Sequence, residues 1–101
     1  QNQPLDALDR LVHEPARLII VSQLYVVESA DFLFLQKQSG LTQGNLSSHL
    51  SKLESAGYVE IEKTYLGKKP RTLLRLTTVG RVAFETYVAS MRPLLDRVIP
   101  Y

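Results

Sequence analysis

Between Thr42 and Gly57 the chain gathers side chains that exchange hydrogen bonds while carrying little charge: Gln43, Asn45, Ser47, Ser48, His49 and Lys52. The two amides offer paired donors and acceptors, the serines and the histidine single ones, and Lys52 a point positive charge. Carried on a helix, short groups of this kind can reach base edges in a major groove, and a lysine suits phosphate. At about 100° per residue, Gly44, Asn45, Ser48, Lys52 and Ser55 fall on one side, with Gln43 and His49 on its flanks. Leu46, Leu50 and Leu53 form a narrow apolar stripe on the other side. Only Glu54 is acidic in the stretch, whereas a solvated helix face ordinarily interleaves Glu with Lys. The plain alternative is a polar surface helix with no binding task, and the scarcity of acid weighs against it.

A second group follows at Lys68, Lys69 and Arg71. These cations cluster about the turn LGKKP, where a β-hairpin would project furthest, so they could meet phosphates or enter a minor groove. A charged hairpin tip is often merely solvated; directly after a polar helix of the kind above, it reads as part of one surface.

Catalytic chemistry finds no comparable support. Ser47, Ser48 and His49 are consecutive, so on a helix their side chains diverge and cannot act as a nucleophile and base pair. No glycine-rich phosphate loop, paired-carboxylate helix or metal-ligand spacing is present, and the absence of cysteine removes disulfides, thiolate metal sites and thiol nucleophiles. The sequence therefore predicts no enzyme, no metal and no cofactor.

The elements that must position these groups follow from local signals. Pro4 suits a first helical turn, and Leu5, Leu8 and Val12 follow at helical spacing, predicting a short amphipathic helix over 4–12. His13, Glu14 and Pro15 interrupt it, and a second helix is expected over Pro15–Glu28, apolar around most of its circumference and therefore central. Arg17 near its start should pair with an acidic neighbour. Ala30–Phe32 read as an extended connection to a third helix over Leu33–Ser39, with Phe32 and Leu35 inward. Leu33 and Phe34 complete an apolar run that one short helix cannot bury on a single face, so part of it should meet the first helix, another helix or a partner subunit. Gly40 allows a tight inter-helix turn, Leu41 anchors it, and Thr42 caps the polar helix. After Gly57 the period changes to two: Val59 and Ile61 alternate with Glu60 and Glu62, and a second strand at Arg71–Leu76 turns Leu74 and Leu76 inward. A final helix begins near Thr77 or Thr78 and runs over 78–98.

A chain of 101 residues with 45% hydrophobic content can bury one core and is too short for two, so residues 1–101 are expected to form a single domain. No apolar run approaches the roughly 20 residues that span a bilayer, no charged leader with a cleavage site opens the sequence, and the lack of cysteine fits a reducing cytoplasm. The net charge of +2 is unevenly spread. Residues 1–36 hold two basic and five acidic side chains, residues 37–81 eight basic and three acidic, and residues 82–101 two of each. Positive charge is thus concentrated on the stretch that carries the polar helix and the hairpin, as an electrostatic footprint for DNA requires.

Two helices, a helix-turn-helix and a two-stranded hairpin make a mainly α fold of the winged helix-turn-helix kind. The stretches HEPARL at 13–18, ADFLFL at 30–35, LTQGNLSSHLSKLESAGYVEIEK at 41–63, GKKPRT at 67–72 and LTTVGRVAF at 76–84 resemble the small winged-helix transcriptional regulators related to MarR-like and ArsR-like repressors. The resemblance spans almost the whole chain, and its central block is its most specific part. It implies a cytoplasmic homodimer that reads a pseudo-palindromic operator in double-stranded DNA, repression as its expected action, and contacts from Thr42, Gln43, Asn45, Ser47, Ser48, His49, Lys52, Lys68, Lys69 and Arg71. Leu33 and Phe34 stand where the family pattern calls for more polar residues. Some ArsR-like relatives sense metals through cysteines, and this chain has none.

The last helix supports a dimer independently. Phe84, Tyr87, Met91, Leu94 and Val98 recur at spacings of three and four, with Val88 and Leu95 alongside, a seam wider than one small domain needs. Together with Leu5 and Leu8 they are the expected dimer interface; the alternative is that the helix folds back on its own core. Pro93 should kink or interrupt this helix near Ala89. An apolar dimer interface would leave room for a small-molecule effector, whose chemistry nothing in the sequence specifies. The rival function is a winged helix that binds proteins and reads no DNA, since fold alone does not set function.

Overall fold

The computed structural model describes residues 9–98. Its elements run α1 (Pro15–Tyr25), β1 (Ala30–Asp31), α2 (Phe32–Ser39), α3 (Gln43–Ser55), β2 (Val59–Leu66), β3 (Lys69–Leu76) and α4 (Thr78–Val98). The three strands form one antiparallel sheet in the order β1-β3-β2. The expected winged helix is present, with one strand more than the sequence pattern announced: Ala30 and Asp31 pair with Leu74 and Leu73, so the extended connection is the sheet's third member.

The first turn of each early helix is capped by a side chain. Glu14 accepts from the Arg17 N–H at 2.9 Å, Asp31 from Leu33 N–H at 2.8 Å and Thr42 from Asn45 N–H at 3.1 Å, each satisfying a donor that the helix itself leaves free. α1 ends at Tyr25, three residues before the expected Glu28, because the chain must turn in time to place Ala30 against β3. Helix α2 ends at Gly40 with φ +74°, and α3 is closed by Gly57 with φ +80°. There the Gly57 N–H reaches Glu54 O and the Tyr58 N–H reaches Leu53 O, both at 2.9 Å, a Schellman ending that sends the chain straight into β2.

Ile20, Val21 and Leu24 of α1 meet Leu35 of α2, Leu46, Leu50 and Leu53 of α3, and Val59, Leu74 and Leu76 of the sheet in one buried cluster. Each such aliphatic side chain contributes roughly 1.5–3 kcal/mol by leaving water, and the three leucines of α3 together set its rotation about its own axis. That rotation turns the side opposite the stripe to solvent. Phe32 and Leu35 point inward as expected, while Leu33 and Phe34 stay 72% and 54% exposed; the helix over 4–12 against which they could pack lies mostly outside the described residues.

Helix α4 runs through Pro93 to Val98, so Pro93 does not interrupt it. The apolar stripe of α4 is divided. Tyr87 is buried with Val12, and Phe84, Met91 and Leu94 pack half-buried beside them with Leu18 and Tyr58, the fold-back arrangement. Val88, Leu95 and Val98 remain exposed. The expected helix over 4–12 and its Leu5 and Leu8 lie mostly outside the described residues; within them, Asp9–His13 form a turn in which the His13 N–H bonds Asp9 O.

Candidate nucleic-acid interface

With its leucine stripe buried, α3 has three other faces. The outermost carries Gly44, Asn45, Ser48, Lys52 and Ser55, all exposed, beside the exposed capping residue Thr42. A second faces the sheet. Gln43, Ser47, Ser51 and Glu54 line an open cleft of about 610 Å³ whose other wall is Ile61, Lys63, Thr72 and Leu74, with Phe32 at its end. Gln43 and Ser47, both expected on the binding surface, are therefore lateral and share the cleft with Lys63. Their spacing of four, four and three along the helix and the period-two alternation of Val59, Ile61 and Lys63 were the signals that could have found this cleft.

The third face belongs to His49 and differs from expectation. Its side chain is half-buried and turned towards the start of α1, where an Arg17 guanidinium nitrogen lies 3.2 Å from Nδ1. A guanidinium can only donate, so Nδ1 accepts and the ring proton sits on Nε2. The Glu14 carboxylate lies 3.9 Å from Nδ1, beyond hydrogen-bond reach, and is engaged in capping α1. That bond from the Arg17 N–H is the main reason the Glu14 carboxyl titrates below its ordinary value of 4.5; partial desolvation opposes it, and the nearby His49 and Arg17 add to it. Arg17 also donates to Leu11 O at 2.7 Å, so its partners are a carbonyl and an imidazole, with no direct carboxylate pairing of its guanidinium among the described residues.

The hairpin is tighter and longer than the sequence suggested. Register from Val59↔Leu76 to Leu66↔Lys69 leaves only Gly67 and Lys68 in the turn, and Gly67 takes φ +65°, the positive value a two-residue connection needs at its first position. Lys68 and Lys69 stand exposed at the tip as expected. Arg71 does not. It lies opposite Thr64, further down the ribbon, with Nε 3.0 Å from Asp31 Oδ2. Asp31 thereby caps α2 with one oxygen and holds β3 with the other. Desolvation works to raise its carboxyl, but the bonds from Leu33 N–H and Arg71 outweigh it and hold it below the usual 3.8. Leu66, expected in the turn, is instead the last residue of β2, and with Tyr65, to which the sequence reading gave no role, it occupies the hairpin apex; the two are 65% and 69% exposed.

On the side of β2 and β3 away from the cleft, where strand alternation places Glu60 and Glu62, Arg75 pairs with both at 3.5 and 3.2 Å. A polar helix face, a cleft with a lysine and a two-lysine tip thus share one side of the sheet, while the two glutamates of β2 lie on the other and share Arg75. Residues 16–95 match the family model described as the winged helix DNA-binding domain.

The chain belongs to the winged-helix DNA-binding domain family.

An uncharacterized protein of Methanocaldococcus jannaschii is 37% identical over 89 residues, spanning 88% of this winged-helix chain and 97% of its own length. The transcriptional regulator homologue protein from Pyrococcus horikoshii OT3 has the same fold with a TM-score of 0.83 at 31% identity, covering 89% of each chain. A MarR family transcriptional regulator from Silicibacter pomeroyi shares the fold at a TM-score of 0.67 and 23% identity; the alignment takes in 89% of this winged-helix protein and 60% of that longer one. Among its described residues, no helix is long and apolar enough to cross a membrane.

Proposed function

We propose that this winged-helix protein is a cytoplasmic transcriptional regulator that acts as a homodimer, reads a pseudo-palindromic operator and represses from it. The observation that carries the reading is the outer face of α3: Asn45, Ser48 and Lys52 are exposed and free of acidic neighbours on that face, while Leu46, Leu50 and Leu53 fix the helix from behind. With α3 in a major groove, Asn45 and Ser48 read base edges and Lys52 meets phosphate, with the Thr42 hydroxyl beside them. His49 contributes at most its Nε2–H, since Arg17 occupies Nδ1. Gln43, Ser47 and Lys63 follow the strand that runs between helix and hairpin, and Lys68 and Lys69 contact the next phosphates. The cleft they line is open and polar, which suits a nucleic-acid backbone better than an enclosed apolar effector. Two copies joined through Val88, Leu95 and Val98 of α4 would set two α3 helices on major grooves about 10 bp apart or a multiple of it.

The test is selection of bound fragments from the source genome followed by footprinting. A two-fold protected site with that spacing supports the reading, and a protein that protects no site beyond scrambled DNA overturns it. The rival, a module for protein contacts alone, is favoured by the exposed Leu33 and Phe34 on α2, a pair that DNA reading does not use.

A further inference from the structure

One side chain at the edge of the outer face of α3 takes its hydrogen-bonding character from another helix. His49 lies four residues after Asn45 and three before Lys52, so it shares their flank of α3. Its Nδ1 is taken by the Arg17 guanidinium at 3.2 Å. Its Nε2 forms no bond among the described residues, yet the buried side-chain polar atom left without a partner there is Gln23 Oε1 alone. The Nε2 edge of the ring therefore opens to solvent, in keeping with the 19% exposure of the side chain. Arg17 is itself fixed in direction, because its Nε donates to Leu11 O at 2.7 Å while a second nitrogen of the same rigid fork meets the imidazole. A competitor for Nδ1 stands close by. The Glu14 carboxylate oxygen that caps α1 lies 3.9 Å away, and it can only accept, whereas Arg17 can only donate. These neighbours demand opposite tautomers: Arg17 puts the ring proton on Nε2, and Glu14 would draw it to Nδ1 and leave Nε2 an acceptor.

We infer that Arg17 is a positioning residue for sequence reading: by holding Nδ1 it makes His49 a donor, through Nε2–H, to a base acceptor in the major groove. This rests on the DNA-reading function proposed above and adds to it a specificity rule set from α1, outside the reading helix. Guanine offers N7 and O6 in that groove and thymine O4, whereas cytosine offers only its N4 amino donor. The base facing His49 in each half-site should thus be guanine or thymine. Removing the Arg17 donor hands Nδ1 to Glu14, and an accepting Nε2 would then favour the amino groups of cytosine or adenine.

The experiment compares the full chain with Arg17→Met, Arg17→Lys and His49→Ala. Nitrogen–proton correlation NMR of the protein without DNA assigns the imidazole tautomer, with His49→Ala separating the signals of His49 from those of His13. Competition with all four bases at every position of a selected operator gives the preference. Wild type should carry the proton on Nε2, as should Arg17→Lys, which keeps a donor, while Arg17→Met should carry it on Nδ1. His49→Ala should lose about fivefold in affinity on the operator and little on scrambled DNA, together with its discrimination at one position per half-site. Arg17→Met should move the preference at that position towards cytosine or adenine. A mere loss of stability would weaken binding to every sequence and leave the preference where it was. A proton on Nδ1 in the wild type overturns the inference whether or not the variants fold. So does a His49→Ala protein that discriminates bases as the wild type does, or one that loses equally on operator and scrambled DNA, which would put Nε2–H on a phosphate; the DNA-reading function survives both. Wild type that selects no operator removes that function and the role of His49 with it.

Discussion

Replacing the cations of the hairpin one set at a time separates those that face solvent from the one the fold has already used. Lys68 and Lys69 have no ion-pair partner among the described residues, whereas Arg71 is held 3.0 Å from Asp31. Each lysine that meets a phosphate contributes about 0.9 to the slope of log affinity against log salt. Lys68→Ala/Lys69→Ala should therefore reduce the slope by about 1.8, a penalty that shrinks by about 4 to the power 1.8, roughly twelvefold, as salt rises from 50 to 200 mM. The loss should be equal on operator and on random DNA, because phosphate contacts carry no sequence information. Arg71→Ala should leave the slope within experimental error and instead lower stability by about 0.5–1 kcal/mol, the scale of a partly exposed pair. Fluorescence anisotropy at four salt concentrations, with urea melts alongside, measures both quantities. If Arg71→Ala lowers the slope by as much as either lysine, Asp31 does not hold the guanidinium when DNA is bound and the assignment of Arg71 to the fold fails.

Other substitutions test the frame behind that surface. A Cβ at Gly80 would fall well inside van der Waals contact distance of the Tyr58 carbonyl oxygen and 2.9 Å from a Leu76 methyl carbon, so Gly80→Ala should cost about 1–3 kcal/mol in a urea melt despite alanine's better helix propensity. Glu14→Gln should destabilise by about 0.5–1 kcal/mol at neutral pH through the weaker α1 cap. Because the Glu14 carboxyl is depressed in the folded state, that difference is full above its ordinary 4.5 and disappears as pH falls through the folded value, which paired melts from pH 7 to 3 would reveal. Val88→Glu/Leu95→Glu should give a monomer in sedimentation with an unchanged fold, since both positions are exposed on the single chain; a variant that remains dimeric would move the interface elsewhere.

The sequence made the helix-turn-helix legible because its signals are local: Gly40, Thr42 and Gly57 punctuate the helices and the leucine stripe has a helical period. The outer face of α3 follows from the same periodicity. What escaped depends on partners distant along the chain. Ala30–Asp31 is too short to show a strand pattern, and its role comes from pairing with Leu73 and Leu74 more than forty residues later. Arg71 looked like a free cation because its partner, Asp31, lies forty residues earlier. His49 was expected to face outward, yet its flanking position becomes inward once α1 brings Arg17 beside it. The seam on α4 had the right period for either a partner helix or its own core; within the chain Tyr87 is buried with Val12, while Phe84, Met91 and Leu94 are covered only in part.

The central claim is that α3 reads bases, and Asn45 tests it most directly. Its side chain is exposed in the first turn of α3, and its backbone N–H is satisfied by Thr42, so truncation to alanine removes an amide without disturbing the cap. Binding of wild type and Asn45→Ala should be measured on a selected operator and on scrambled DNA of equal length and salt. A loss of about 1–3 kcal/mol on the operator with little change on scrambled DNA is the predicted result. Equal losses on both, or no loss on either, would contradict base reading by this helix.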